Sequence, residues 1–300
     1  MHDFDFTKPQ PAGGAPEEAS APFKAAQSRF YDAKVAAEIF RSAGREERFA
    51  TAAILFLEDE KAKGGLLKKP SARMYYLAEG QVELSIAGRS LDRVQPGEVF
   101  GEMAVISGQP RSASAQARSD VVAYSMDAAE LQVALGRSPE FALMLASVMY
   151  DRLRFLAARL ATRKVAATVH KFSVFDAPLL ARFEAALPRA STVRHWGGTV
   201  IMREGQAGAF MYVVKAGQVL IAIRGTTVEA VGPGGTFGEM AVVDQSARTA
   251  TATAEVECEL LQVDRPSLLQ AVKADPAFAM ALLRGVAERL RHMNSQLSGK

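Results

Sequence analysis

FGEMAVISGQPRSASA (residues 100–115) and FGEMAVVDQSARTATA (residues 237–252) are two versions of one cassette, 137 positions apart. The same offset aligns residues 74–160 with 211–297 without a gap, and about a third of the aligned positions are identical, the mark of a duplicated unit. MYYLAEGQV pairs with MYVVKAGQV, and the two terminal runs share Arg-Leu-Arg at residues 152–154 and 289–291. Upstream, AAILFLEDE aligns with GGTVIMREG at an offset of 145, which sets Glu60 against Gly205 and puts an eight-residue insertion within KAKGGLLKKPSAR of the first copy.

Both copies have the same coarse pattern. Short β-rich runs such as TVIMRE, FMYVVKAG and QVLIAIRG, punctuated by glycine or proline, predict an antiparallel sandwich or barrel. Helical periodicity follows each barrel and breaks at Ser138-Pro139 and Asp275-Pro276, where proline can open a new helix. Further helices are expected before the barrels, at residues 25–42 and 177–187. The organisation expected is a tail over 1–24, a first domain over 25–161, a linker over 162–176 and a second domain over 177–300.

Composition bounds the function. Of 300 residues 49% are apolar, enough for two cores, yet the longest apolar stretch is about eight residues against the ~20 that cross a bilayer. The opening MHDFDFTKPQPAGGAPEEASAP carries acids and prolines where a secretory signal needs a basic start and an apolar centre, so a disordered tail on a cytoplasmic protein is expected. Cys258 is the single cysteine and lies in an apolar run; it reads as a core residue. His2, His170, His195 and His292 are scattered and suggest neither a metal site nor a triad. No enzyme and no cofactor are expected. The basic stretch over residues 152–171 repeats leucine at 153, 156 and 160, so its arginines read as the wet face of a packed helix.

The cassette itself suits an anion. Gly101 and Gly238 let backbone N–H groups approach a ligand without a Cβ in the way, and Glu-Met-Ala-Val can start a short helix there. Arg111 and Arg248 can each place a guanidinium fork on two phosphate oxygens. Glu102 and Glu239 would repel a phosphate at contact, so each is expected to accept from a donor such as a ribose hydroxyl. A 3′,5′-cyclic nucleotide offers one phosphate and one free 2′-OH.

With these residues the chain resembles the cyclic nucleotide-binding domain family, shared by protein kinase A regulatory subunits, catabolite activator proteins and cyclic nucleotide-gated channels. The resemblance implies an α+β fold of two tandem domains, each a β-roll (double-stranded β-helix or jelly roll) with flanking helices. It implies one site at Gly101, Glu102, Met103, Ala104, Arg111 and Ser112, and a second at Gly238, Glu239, Met240, Ala241, Arg248 and Thr249. Ser112 and Thr249 suit either base, but the first cassette, SGQPRSA, resembles bacterial channel-type and kinase-type cAMP cassettes, so the ligand expected is cAMP, with cGMP close behind. The last helix of each unit, near 150–158 and 287–295, should close over the base. Glu60 departs from the family's usual early glycine.

The chain ends a few residues after its last predicted helix, without a helix-turn-helix, so direct DNA binding is not expected. Residues 1–45 hold no arginine pair followed at two residues by Ser, Thr or Ala; the nearest imitation of a kinase-inhibiting segment is Lys68-Lys69-Pro70-Ser71. The leading expectation is a receptor that passes a ligand-linked change to an unidentified effector protein. A nucleotide-independent docking module is the alternative, and a transcription-regulator relative without its DNA reader ranks lower.

Overall fold

The computed structural model describes residues 30–60, 72–162, 173–187 and 192–298. The expected tail, nearly all of the insertion and most of the linker lie outside these residues.

The first unit opens with α1 (Ala33–Ala43), where the Asp32 carboxylate accepts from the Lys34 and Val35 backbone N–H groups and so caps two of the donors a helix start leaves unpaired. It continues through β1 (Arg45–Phe49), β2 (Ile54–Phe56), β3 (Met74–Glu79), β4 (Val82–Ile86), β5 (Arg89–Val94), β6 (Val99–Phe100), α2 (Glu102–Ser107), β7 (Ser114–Ala117), β8 (Val121–Met126), α3 (Ala128–Arg137) and α4 (Pro139–Thr162). The second unit repeats this order as α5 (Ala177–Ala186), β9 (Thr192–His195), β10 (Val200–Met202), β11 (Phe210–Ala216), β12 (Val219–Ile223), β13 (Thr226–Val231), β14 (Thr236–Phe237), α6 (Glu239–Asp244), β15 (Thr251–Ala254), β16 (Cys258–Asp264), α7 (Arg265–Ala274) and α8 (Ala277–Ser298).

In the first unit one sheet runs β1-β8-β3-β6 and the other β2-β7-β4-β5; the second unit reproduces both orders as β9-β16-β11-β14 and β10-β15-β12-β13. This is a jelly roll, formed twice. Inward residues of the two sheets meet in one core per barrel: Leu77, Val82, Phe100, Ala115 and Ala123 in the first, and Val214, Val219, Phe237, Ala252 and Leu260 in the second. The tight turns agree too. Ala87-Gly88 and Arg224-Gly225 all have positive φ, at 48°, 73°, 49° and 78°, the conformation that joins two twisted antiparallel strands without splaying them.

The structure corrects the early register. Phe56 faces Ala115 as Met202 faces Ala252, and Ala52 donates to Ala117 O as Gly198 donates to Ala254 O. The structural offset there is therefore 146, and the extra segment is nine residues long. The counterpart of Gly205 is then Asp59, not Glu60: Asp59 has φ 59° and donates to Arg111 O, while Gly205 has φ 81° and donates to Arg248 O. Aspartate tolerates this left-handed conformation better than most residues, so the turn survives without glycine. Pairing by sequence alone erred by one because no gap-free match covers the insertion.

A third cluster joins the units. Phe40, Phe141, Tyr150 and Leu153 of the first and Phe183, Phe278, Leu283 and Leu290 of the second belong to one continuous set of buried side chains. Helix α4 packs along α8, α2 lies against α8, and α6 lies against α4. Each terminal helix thus touches the cassette helix of the other unit.

Candidate functional site

Both cassettes start from a left-handed glycine. Gly101 (φ 74°, ψ 8°) and Gly238 (φ 74°, ψ 6°) precede α2 and α6 without any side-chain cap. That turn brings the carbonyl of each glycine onto the arginine ten positions later. Arg111 Nη1 donates to Gly101 O at 2.9 Å and Arg248 Nη1 to Gly238 O at 2.7 Å. A Cβ on Gly238 would stand 2.6 Å from Arg248 Nη1, so the close approach itself requires glycine.

Each arginine is 7% exposed. Arg111 also donates from Nη2 to Arg73 O at 2.7 Å, and its guanidinium lies 3.9 Å from the centre of the Phe56 ring. Burial pulls both guanidinium groups below the usual arginine range; Tyr75 and nearby Glu60 and Glu102 act in the other direction on Arg111, as do Tyr212 and Glu239 on Arg248. Both remain cations at neutral pH, since the ordinary value is so high. The hydrogen bonds that hold them go to backbone carbonyls. Two buried cations oriented by neutral dipoles favour an anion that completes them.

The acids are buried as well, Glu102 at 6% and Glu239 at 4%. Each meets an arginine from the last helix of its own unit. Arg152 Nη1 donates to Glu102 at 2.5 Å, and Arg289 Nη1 donates to Glu239. Arg289 is held further by Thr236 O at 2.6 Å and by Glu229 at 3.1 Å. Burial alone would lower its pKa, but Glu229, Glu239 and Tyr150 together outweigh burial and raise it. A donor to each glutamate therefore exists in the protein itself.

Beside the second cassette lies a cavity of about 320 Å³, a volume in the range of small-ligand sites. Gly238, Glu239, Ala241 and Arg248 line it together with the apolar side chains of Ile221, Ile223 and Val228. His292 and Met293 of α8 line it too. Leu153 and Arg154 of α4 line the same cavity, so the residues expected to close the first site reach the second.

The remaining expected residues divide. Met240 and Thr249 line the cavity, and Thr249 Oγ1 donates to Met240 Sδ at 3.3 Å. Ala104 is buried in α2 beside Glu102, and Ser112 is half-buried next to Arg111. Met103 belongs to the shared helical core. Met103 is thus a packing residue of the first cassette. Glu229, Arg152 and Arg289 were missed as site residues because their signals lie far from the cassette; the repeated Arg-Leu-Arg was the one clue. The wet-face reading of Arg152 and Arg154 is corrected: their side chains are 28% and 26% exposed and aim at the cassettes. Leucine spacing identified the packed stripe but not the polar targets flanking it.

Among the described residues no three metal-ligating side chains cluster, and no helix is long and apolar enough to cross a membrane. The cGMP-dependent protein kinase egl-4 of Caenorhabditis elegans is 28% identical over 209 residues, covering 66% of this chain and 24% of the kinase. A CRP-like cAMP-activated global transcriptional regulator of Mycobacterium tuberculosis is 31% identical over 106 residues, covering 34% of this chain and 47% of the regulator. The chain thus spans under half the length of either protein. The regulatory domain of Toxoplasma gondii PKA, solved with cAMP, is 22% identical and covers 80% of this chain and 84% of that one at a TM-score of 0.29. The cyclic nucleotide-binding domain profile matches residues 68–138 and 194–275, together half of the sequence with one cassette in each match, and the chain belongs to that family.

Proposed function

We propose that this chain is a cytoplasmic cyclic nucleotide receptor that binds one ligand in each of two domains, 25–161 and 177–300, joined by a linker at 162–176. The ligand is cAMP or cGMP. The observation that carries this reading is that each cassette brings onto one left-handed glycine a buried glutamate and a buried arginine that has no carboxylate ion pair among the described residues. In this reading Arg111 and Arg248 hold the cyclic phosphate through their planar forks. Glu102 and Glu239 accept from the 2′-OH, while Gly101, Ala104, Gly238 and Ala241 present backbone to the ligand. Ser112 and Thr249 stand at the junction of phosphate and base, and the Ile221, Ile223 and Val228 wall receives the base in the second site. No catalysis is assigned to these residues. The output is a shift of α4 and α8 toward an effector protein, because those helices are tied to the glutamates that ligand engages.

Calorimetric titration of the full chain with cAMP and with cGMP tests this. Two binding events are expected in the wild type, with one lost in Arg111→Ala and the other in Arg248→Ala. Micromolar binding corresponds to about −8 kcal/mol per site. Silence with both nucleotides at millimolar concentration, without a rise in Tm, would return the chain to the docking-module reading.

A further inference from the structure

The two cassette arginines are held by different means. Among the described residues the Arg248 guanidinium donates to Gly238 O alone, with Gly208 close against its Nε. Arg111 is fixed at both terminal nitrogens, Nη1 on Gly101 O at 2.9 Å and Nη2 on Arg73 O at 2.7 Å, with the Phe56 ring centre 3.9 Å away. Arg73 immediately precedes β3, and its own side chain is 13% exposed. Its Nε donates to Ser125 Oγ at 2.8 Å, and its Nη2 to Ser125 O at 2.9 Å and Glu130 Oε2 at 2.7 Å; Glu47 and Asp127 lie at 3.5 and 3.7 Å. One side chain thus ties the entry of β3 to β8, to β1 and to the start of α3. The second unit has no equivalent. Tyr75 pairs with Ser125 as Tyr212 pairs with Gln262, and Glu47 pairs with Ala123 as Val193 pairs with Leu260. The counterparts of Arg73, Glu47, Ser125 and Glu130 are therefore Phe210, Val193, Gln262 and Ser267, none of them charged.

We propose that Arg73 is a positioning residue of the first nucleotide site: its side-chain cluster anchors the chain so that its carbonyl orients the Arg111 guanidinium. The proposal rests on the receptor reading above and deepens it for one site. Carbonyls on Nη1 and on Nη2 together oppose rotation of the guanidinium in its own plane, and the Phe56 ring opposes tilt. The remaining N–H groups of the fork are then aimed before a phosphate arrives, so less of the ordering cost falls on binding. Sequence length explains why only one unit needs this device. The second copy runs from Gly205 to Phe210 in a connection nine residues shorter, and that brevity itself confines the entry of β11. In the first copy the longer connection supplies no such constraint, and the ion pairs and hydrogen bonds of Arg73 supply it instead.

Arg248→Ala leaves the first site alone to be titrated with cAMP and cGMP. In that background Arg73→Gln is expected to weaken binding by about tenfold, the smaller of the losses typical when the support of a ligating side chain is removed. Arg73→Lys keeps the charge but not the fork and should fall in between. In the Arg111→Ala background, where the second site is titrated, Arg73→Gln should change nothing. Lost packing alone would also weaken the first site, so the deciding readout is stereochemical. The Rp and Sp phosphorothioate analogues of the nucleotide that binds differ only in which exocyclic phosphate oxygen is replaced by sulfur. A guanidinium held in one orientation discriminates between them, so Arg73→Gln should move the ratio of their first-site affinities toward one. Glu47→Gln combined with Glu130→Gln removes two charges from the cluster but keeps an oxygen acceptor at each position, including the one that closes the α3 capping box. It should shift affinity and ratio in the same direction by less, and it decides the matter if Arg73→Gln fails to fold. Unchanged first-site affinity in these variants, or a lower affinity with an unchanged ratio, overturns the proposal and leaves the receptor reading intact. Absence of any binding by Arg248→Ala overturns the receptor reading of the first site, and the proposal with it.

Discussion

Arg289 stands between two carboxylates and is 8% exposed, whereas Arg152, its counterpart, meets Glu102 and is 28% exposed at its side chain. Removing the partner of a buried ion costs more than removing that of one water can reach. Glu239→Ala should therefore lower stability by about 3 kcal/mol, and Glu102→Ala by about 1.5 kcal/mol; denaturant melts of the two variants without ligand check the order. A second residue-scale expectation concerns Gly208, where a Cβ would come 2.2 Å from Arg248 Nε. Gly208→Ala must displace that guanidinium, so it should weaken the second site by tenfold or more while sparing the first, as titration in the Arg111→Ala background would show. The arginines and glutamates of the cassettes were legible in the sequence because they are close together in the chain. Gly208, Glu229 and Arg289 were not, since only folding brings them to Arg248 and Glu239.

Helix starts follow local chemistry and were largely legible. Asp264 caps α7 by accepting from the Ser267 N–H at 2.8 Å, with proline at the helix start. Its hydrogen bonding to Ser267, through side chain first and backbone second, holds its pKa below the usual aspartate range. That depression means the cap contributes fully above the unfolded value near pH 4 and loses its contribution as pH falls through the lower folded value. Asp264→Ala should cost about 1 kcal/mol at pH 7 and flatten the acid limb of a stability-against-pH curve. The break at Ser138-Pro139 was legible for the same reason, and the structure adds a capping box at Asp127, with Glu130 reaching back to the Asp127 N–H. The register of β2 was misread by one residue. Strand pairing is decided by partners distant in sequence, and the positive-φ turn at Asp59 looks like nothing until Arg111 is seen to accept from it.

At the scale of the molecule the units are joined by one helical core rather than laid side by side, so the described protein should melt in a single cooperative transition by calorimetry. Gly136 of α3 faces Pro276 of the second unit, where a Cβ would come within 2.8 Å. Gly136→Leu should wedge this contact apart, lower Tm and broaden or split the transition while the isolated-site affinities persist. The duplication, the alternation of strand and turn, and the paired phosphate-type cassettes were determined by sequence alone, because repeats, periodicity and short motifs are encoded in neighbouring residues. Tertiary structure alone decided that Arg-Leu-Arg faces two ways, that Leu153 and Arg154 reach the second cavity, and that Glu102 and Glu239 already hold guanidinium partners. The reason is physical: the direction of a long charged side chain is set by the surface its helix packs against, and here that surface belongs to the other unit.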